Sequence, residues 1–149
     1  MNDDEFRWLA SFRMALRRFQ SFSEQAAEAQ GVTAQQYQAL LALKGENGDQ
    51  PFTLTLLAQQ LLIKHNSAVG LVDRMEQLGL VVRMPSEADR RSVVVSITPR
   101  GESLLRKLAR THRRELHRIA PELARHFRHF AKADAARPES MPRAAQGRR

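Results

Sequence analysis

The sequence predicts a mostly α fold with one small β-hairpin, an α+β class. Three observations predict it. Apolar residues recur every three or four positions through most of the chain. Two β-branched runs, "LVVRM" and "SVVVSI", flank the polar stretch "PSEADRR", the pattern of a hairpin with a longer loop. Capping residues and glycines stand where the helices must start and stop.

From Asp3 to about Gln30, Phe6, Leu9, Phe12, Leu16 and Phe19 make a helical stripe with Arg13, Arg17 and Arg18 between them, and Gly31 is the expected stop. At roughly 27 residues this helix exceeds the usual length and suits packing beyond its own domain. In "TAQQYQALLALKG", Thr33 and Gln36 fit a capping box, with Tyr37, Leu40, Leu41 and Leu43 inward. A polar loop from Gly45 to Pro51 follows. The short helix in "TLTLLAQQLLI" turns Leu57, Ala58 and Leu61 inward. A brief turn at Ile63 and Lys64 leads to "HNSAVGLVDRMEQLG", closed by Gly79. After the hairpin, Thr98 caps a helix that Pro99 can open. Its stripe is Leu105, Leu108, His112, Leu116 and Ile119, and Pro121 is expected to break it and open a last helix to about Ala133. Residues 134–149 are short of apolar bulk and predict a disordered basic tail.

The chain has 149 residues, enough for one domain with a real core, and a net charge of +8. All but four of its 24 basic residues are arginine, whose forked guanidinium suits phosphates and guanine edges. Four of these arginines lie in residues 135–149, so the net charge alone says little about the folded part. The chain has no cysteine, which excludes disulfides and thiolate chemistry. No apolar run approaches a membrane span, and the acidic start "MNDDEFRW" is unlike a signal peptide. A cytoplasmic protein with no membrane partner is the expectation. No glycine-rich phosphate loop, cysteine nucleophile or serine elbow points to an enzyme.

The order helix, helix, turn, helix, hairpin is that of a winged helix-turn-helix. On a wheel of 100° per residue, the helix after the turn places Ala68, Leu71, Val72, Met75 and Leu78 on one side. Asn66, Ser67, Gly70, Asp73, Arg74 and Gln77 fall on the other. Such a small polar face fits a major groove. Asn66 and Ser67 suit base edges, Gly70 removes a side chain that would hold the helix off the duplex, and Arg74 suits a phosphate. His65, at the helix start, suits either. On its own, the same face reads equally well as the solvated side of a core helix. The loop with Asp89, Arg90 and Arg91 tips the balance, because a cationic finger beside such a helix reaches a neighbouring minor groove. Asp89 is expected to hold an arginine by a charge-assisted bond. The competing reading is a solvated tip with a surface ion pair.

The span "LAQQLLIKHNSAVGLVDRMEQLGLVVRMPSEADRRSVVVSITPRG" resembles the MarR family of bacterial transcriptional regulators. The features that carry the resemblance are "LAxxL", "VDRMEQLGLVVR", the D-x-R wing at Asp89 and Arg91, and "TPRG". It implies one domain over 1–133, with a winged helix DNA-binding lobe at 31–99 and N- and C-terminal dimerisation helices at 1–30 and 99–133. It implies a homodimer on double-stranded DNA, straddling a pseudopalindromic operator with half-sites about one helical turn apart. A ligand-responsive repressor is the expected activity, with an aromatic or lipophilic small-molecule effector. Phe12, Leu16, Tyr37 and His112 lie on elements that line the family's effector pocket, though core packing is an alternative role for each. Lys64 stands where the family often has a capping Ser or Thr.

No cofactor or metal is expected. Glu122, His126 and His129 have the spacing of a carboxylate–histidine site, but histidines among arginines are commonly plain surface residues. An architectural DNA-binding protein without effector, and a winged helix that binds a protein partner instead, are the rival readings.

Overall fold

The computed structural model describes residues 2–46, 50–89 and 91–135, the last three as backbone only. Its elements are α1 (Asp3–Glu28), α2 (Ala34–Gly45), α3 (Leu54–Leu61), α4 (His65–Gln77), β1 (Val81–Pro85), β2 (Val93–Ile97) and α5 (Pro99–Ala135).

Local chemistry sets the helix ends. Asn2 and Glu5 close a capping box on α1, and Thr33 and Gln36 close one on α2. Asp3, Asp4 and Glu5 favour the positive end of the α1 dipole. Gly31, at φ +76°, turns the chain out of α1, which ends two residues earlier than its sequence pattern predicts. Thr53 caps α3 through the Leu56 N–H at 3.2 Å. Thr98 accepts the Gly101 N–H at 3.0 Å to start α5 and donates its hydroxyl to the Gly79 carbonyl at 2.6 Å.

The lobe core gathers Leu40, Leu57, Leu71, Val72, Met75, Leu80, Val81, Val95, Leu105 and Leu108 from α2 to α5. β1 and β2 pair antiparallel, with Val81 opposite Ile97 and Pro85 opposite Val93. The Val95 N–H also donates to the Phe52 carbonyl at 2.9 Å, so the segment before α3 pins the hairpin to the lobe. α1 lies antiparallel to the distal part of α5. Ser23 of α1 meets His112, and near its other end Trp8 stacks on His129 at 4.0 Å.

Several expectations need correction. Pro121 does not break the last helix: α5 runs 37 residues through it and ends at Ala135, inside the stretch expected to be tail. The reason is packing. Leu105, Leu108 and His112 before the proline and Ile119 and His126 around it form one buried stripe, so tertiary contact outweighs the lost N–H. Gly45 belongs to α2 rather than to the loop. Leu41, Leu78 and Leu116 are exposed, not inward. On α1 the buried residues are Ala15, Ser23 and Ala27, of which Ser23 meets His112 of α5 and Ala27 joins the lobe core, with Phe12 and Phe19 half-buried, whereas Phe6, Leu9 and Leu16 are exposed. Residues 47–49 of the expected loop and residues 136–149 of the expected tail lie outside the described residues.

Among the described glycines, Gly101 has the closest backbone neighbour. A Cβ there would lie 2.1 Å from the Leu80 carbonyl oxygen, a backbone atom with no room to move. Gly101→Ala is expected to destabilise the protein by about 1–3 kcal/mol, read as a lowered thermal-melting midpoint. An unchanged midpoint would mean that α5 does not pack there as described.

Candidate nucleic-acid interface

The outward side of α4 is open. His65, Asn66, Ser67, Arg74 and Gln77 are exposed, Gly70 is half-buried, and Ala68, Leu71, Val72 and Met75 face the core. Lys64 occupies the N-cap and makes no side-chain capping bond. The first-turn N–H groups of α4 are therefore uncapped and aimed past the helix end. Arg74 folds back along the helix: its Nη1 lies 3.4 Å from where a Cβ on Gly70 would sit. Gly70 thus leaves space for the Arg74 side chain as well as for a close approach to α4.

The wing tip is shaped by Asp89. Its carboxylate accepts the Arg91 backbone N–H at 3.0 Å and the Ser92 hydroxyl at 3.2 Å. The Asp89 N–H donates to the Ser86 hydroxyl, and the Ser86 and Ser92 backbones pair at 3.0 Å. This differs from the expected grip on an arginine side chain. An aspartate two residues ahead of a backbone N–H makes an Asx turn more readily than a surface ion pair. The Arg91 side chain is exposed, and Arg90 lies outside the described residues. Among the described residues, Lys64, Arg74 and Arg91 have no carboxylate within ion-pair distance.

Sequence reasoning missed Arg83. This β1 residue holds Asp73 of α4 at 2.6 Å and Glu76 of α4 at 3.0 Å, and its backbone N–H donates to Glu76 at 3.1 Å. One arginine therefore joins the wing to α4 and neutralises two carboxylates on the helix. The usable signal was an arginine breaking the apolar strand "LVVRM", paired with acids three apart on the preceding helix.

The four residues suggested for an effector pocket fall in different places. His112 and Tyr37 stack at 4.2 Å, both buried. The His112 Nδ1–H donates to the Leu108 carbonyl at 2.8 Å, because a carbonyl only accepts. In the neutral ring Nε2 then accepts the Ser23 hydroxyl, also at 2.8 Å. Burial pushes the Tyr37 phenol above its ordinary value. Phe12 packs with His126, Phe127 and Phe130 toward the other end of α1, and Leu16 is exposed. Of the possible metal ligands, His129 stacks on Trp8 and His126 is fully buried with neither ring nitrogen hydrogen-bonded. Among the described residues no three His, Asp or Glu side chains converge.

Arg83→Met is expected to cost about 1 kcal/mol of stability but to loosen the wing more than the lobe core. Native-state amide exchange should quicken in residues 82–94 while Leu71 and Val72 keep their protection. Uniform quickening would deny Arg83 its bracing role.

Residues 30–92 match the model of the MarR family. The transcriptional activatory protein BadR of Rhodopseudomonas palustris is 37% identical over 84 residues, covering 56% of this chain and 48% of BadR. The chain spans about half the length of the curated relatives it matches. Over 92% of the chain the fold is that of AbsC, a MarR family transcriptional regulator from Streptomyces coelicolor, with a TM-score of 0.72, 23% identity and 98% of AbsC covered. A variant of MepR from S. aureus bound to an oligodeoxyribonucleotide has the same fold, with a TM-score of 0.62 and 20% identity over 83% of this chain and 89% of MepR.

Proposed function

Residues 30–92 match the MarR family model, and from that match we propose that the chain is a member of that family, a DNA-binding transcriptional regulator acting as a homodimer. The observation that carries this reading is the exposed α4 face, braced to a cationic wing by Arg83. The N-terminal part of α4 enters a major groove. Asn66 and Ser67 read base edges, with His65 at the rim. Arg74 and the uncapped first turn of α4 take phosphates. Arg91, carried by the Asp89 turn with Arg90 beside it, enters the adjacent minor groove. The oligodeoxyribonucleotide bound by a MepR variant of the same fold supports this reading.

The dimer reading rests on apolar surface. Phe6, Leu9 and Leu16 on α1 and Leu116 and Phe127 on α5 are 38–58% exposed, large apolar side chains along the two long helices that a partner would take out of water. A second copy covers them, and the two lobes then meet half-sites about one helical turn apart, forming a pseudopalindromic operator. The double variant Phe6→Glu, Leu9→Glu is expected to halve the mass measured by light scattering while the helical circular dichroism stays. An unchanged dimer mass would move the interface elsewhere.

A ligand-responsive repressor is the activity this architecture suits. An aromatic or lipophilic effector that favours one spacing of the lobes weakens operator binding by its differential affinity. The deciding measurement compares the protein's own promoter DNA with random DNA at physiological salt. A regulator prefers its operator by at least about a thousandfold, whereas an architectural protein shows a steep salt dependence with little preference. Arg91→Ala should reduce the salt slope by about one unit, and Asn66→Ala should reduce discrimination more than total affinity. An unchanged slope removes the wing from the interface, and equal losses on all sequences make Asn66 a backbone contact.

A further inference from the structure

On the side of α5 away from His112, Arg110, Arg113, Arg114 and His117 line an open cleft of about 440 Å³. They fall at i, i+3, i+4 and i+7, so their side chains share one helix face over a rise of about 10 Å. All four are exposed. Among the described residues no carboxylate lies within ion-pair distance of the three arginines, although the same helix pairs Arg106 with Glu102 and Arg118 with Glu115. Like charges one turn apart repel and weaken a helix. The cluster therefore carries an unfavourable interaction that nothing described in the chain relieves.

We propose that this cleft binds a small multivalent anion, one bearing two or more phosphate or carboxylate groups. Guanidinium groups bind such oxyanions through paired, parallel hydrogen bonds. A single monovalent group would leave part of the cluster uncompensated. The cluster is open to solvent along its length, and its rise of about 10 Å fits a compact polyanion. Its place in the fold is specific. The same stretch of α5 carries His112 on its inner side, bonded to Ser23 of α1 and stacked on Tyr37 of α2. An anion that draws the three guanidiniums together acts on the point where the lobe joins α1, and its effect on DNA affinity rests on the function proposed above.

The test is calorimetric titration of the full chain with pyrophosphate at constant ionic strength, with orthophosphate for comparison. Saturable binding, at least tenfold tighter for pyrophosphate, is expected. It should weaken at least tenfold in Arg110→Gln/Arg114→Gln and stay within twofold in Arg125→Gln/Arg128→Gln, which removes the same charge farther along α5. Absence of saturable binding, or equal loss in both double variants, overturns the proposal. Duplex DNA shares the phosphate chemistry, so each variant is also titrated with DNA against salt. If Arg110→Gln/Arg114→Gln lowers the DNA salt slope by about two with pyrophosphate binding unchanged, the cluster is a DNA-backbone contact and the proposal falls. If no DNA binds at all while pyrophosphate behaves as expected, the anion site stands and the DNA-binding function fails.

Discussion

Arg83 sets the relation between α4 and the wing, the two parts proposed to meet nucleic acid. A two-stranded hairpin is at best marginal in water by itself. Here Val81 and Val95 bury one face of it, the Phe52 carbonyl holds its second strand, and Arg83 clamps its first strand to Asp73 and Glu76. The same contact changes the electrostatics of α4. Two carboxylates that would repel a phosphate backbone are turned toward a guanidinium, while Arg74 and Lys64 stay free. Geometry and charge on this surface thus depend on one side chain that need not touch DNA.

A second constraint joins the lobe to the long helices. The His112 imidazole bonds within α5 and to Ser23 of α1, and stacks on Tyr37 of α2. Both ring nitrogens are satisfied inside an aromatic setting that includes Phe19 and Phe22. Lys44 reinforces the α2–α5 contact from outside by pairing with Glu102 at 3.1 Å. Arg106 and then Lys44 hold the Glu102 carboxyl below its ordinary value, so this support is present above the ordinary carboxylate range and is lost only as pH falls on through the lowered value beneath it. His126 is the contrast, a buried ring held by Trp8 and Phe12 through shape alone.

Much of the lobe was legible in the chain because its signals are local. Capping boxes at Thr33 and Gln36, the α4 wheel and the paired β-branched runs each specify structure within a few residues. What failed depended on distant contacts. Pro121 is a breaker by local rules, yet the stripe that continues past it meets α1, more than a hundred residues earlier in the chain. The α1 stripe was read as one face, but folding buries Ala15, Ser23 and Ala27 and leaves Phe6, Leu9 and Leu16 outside. At the interface, the exposure of Asn66, Ser67 and Arg74 followed from periodicity, while the partners of Asp89 and Arg83 needed the turn and the strand pairing to be seen.

A proline within a continuous helix leaves one acceptor without its usual donor, at the carbonyl of His117, and crowds the turn before it. With one hydrogen bond fewer, that turn of the rod connecting the lobe to the distal half of α5 resists bending less than an intact turn does. From Pro121 back to Pro99 the lever is about 33 Å long at 1.5 Å per residue, so a flexure of about 10° swings the lobe end by about 6 Å. A displacement of that size is a large part of the width of a DNA groove. Small strains at mid-helix are therefore magnified into large misalignments at its end.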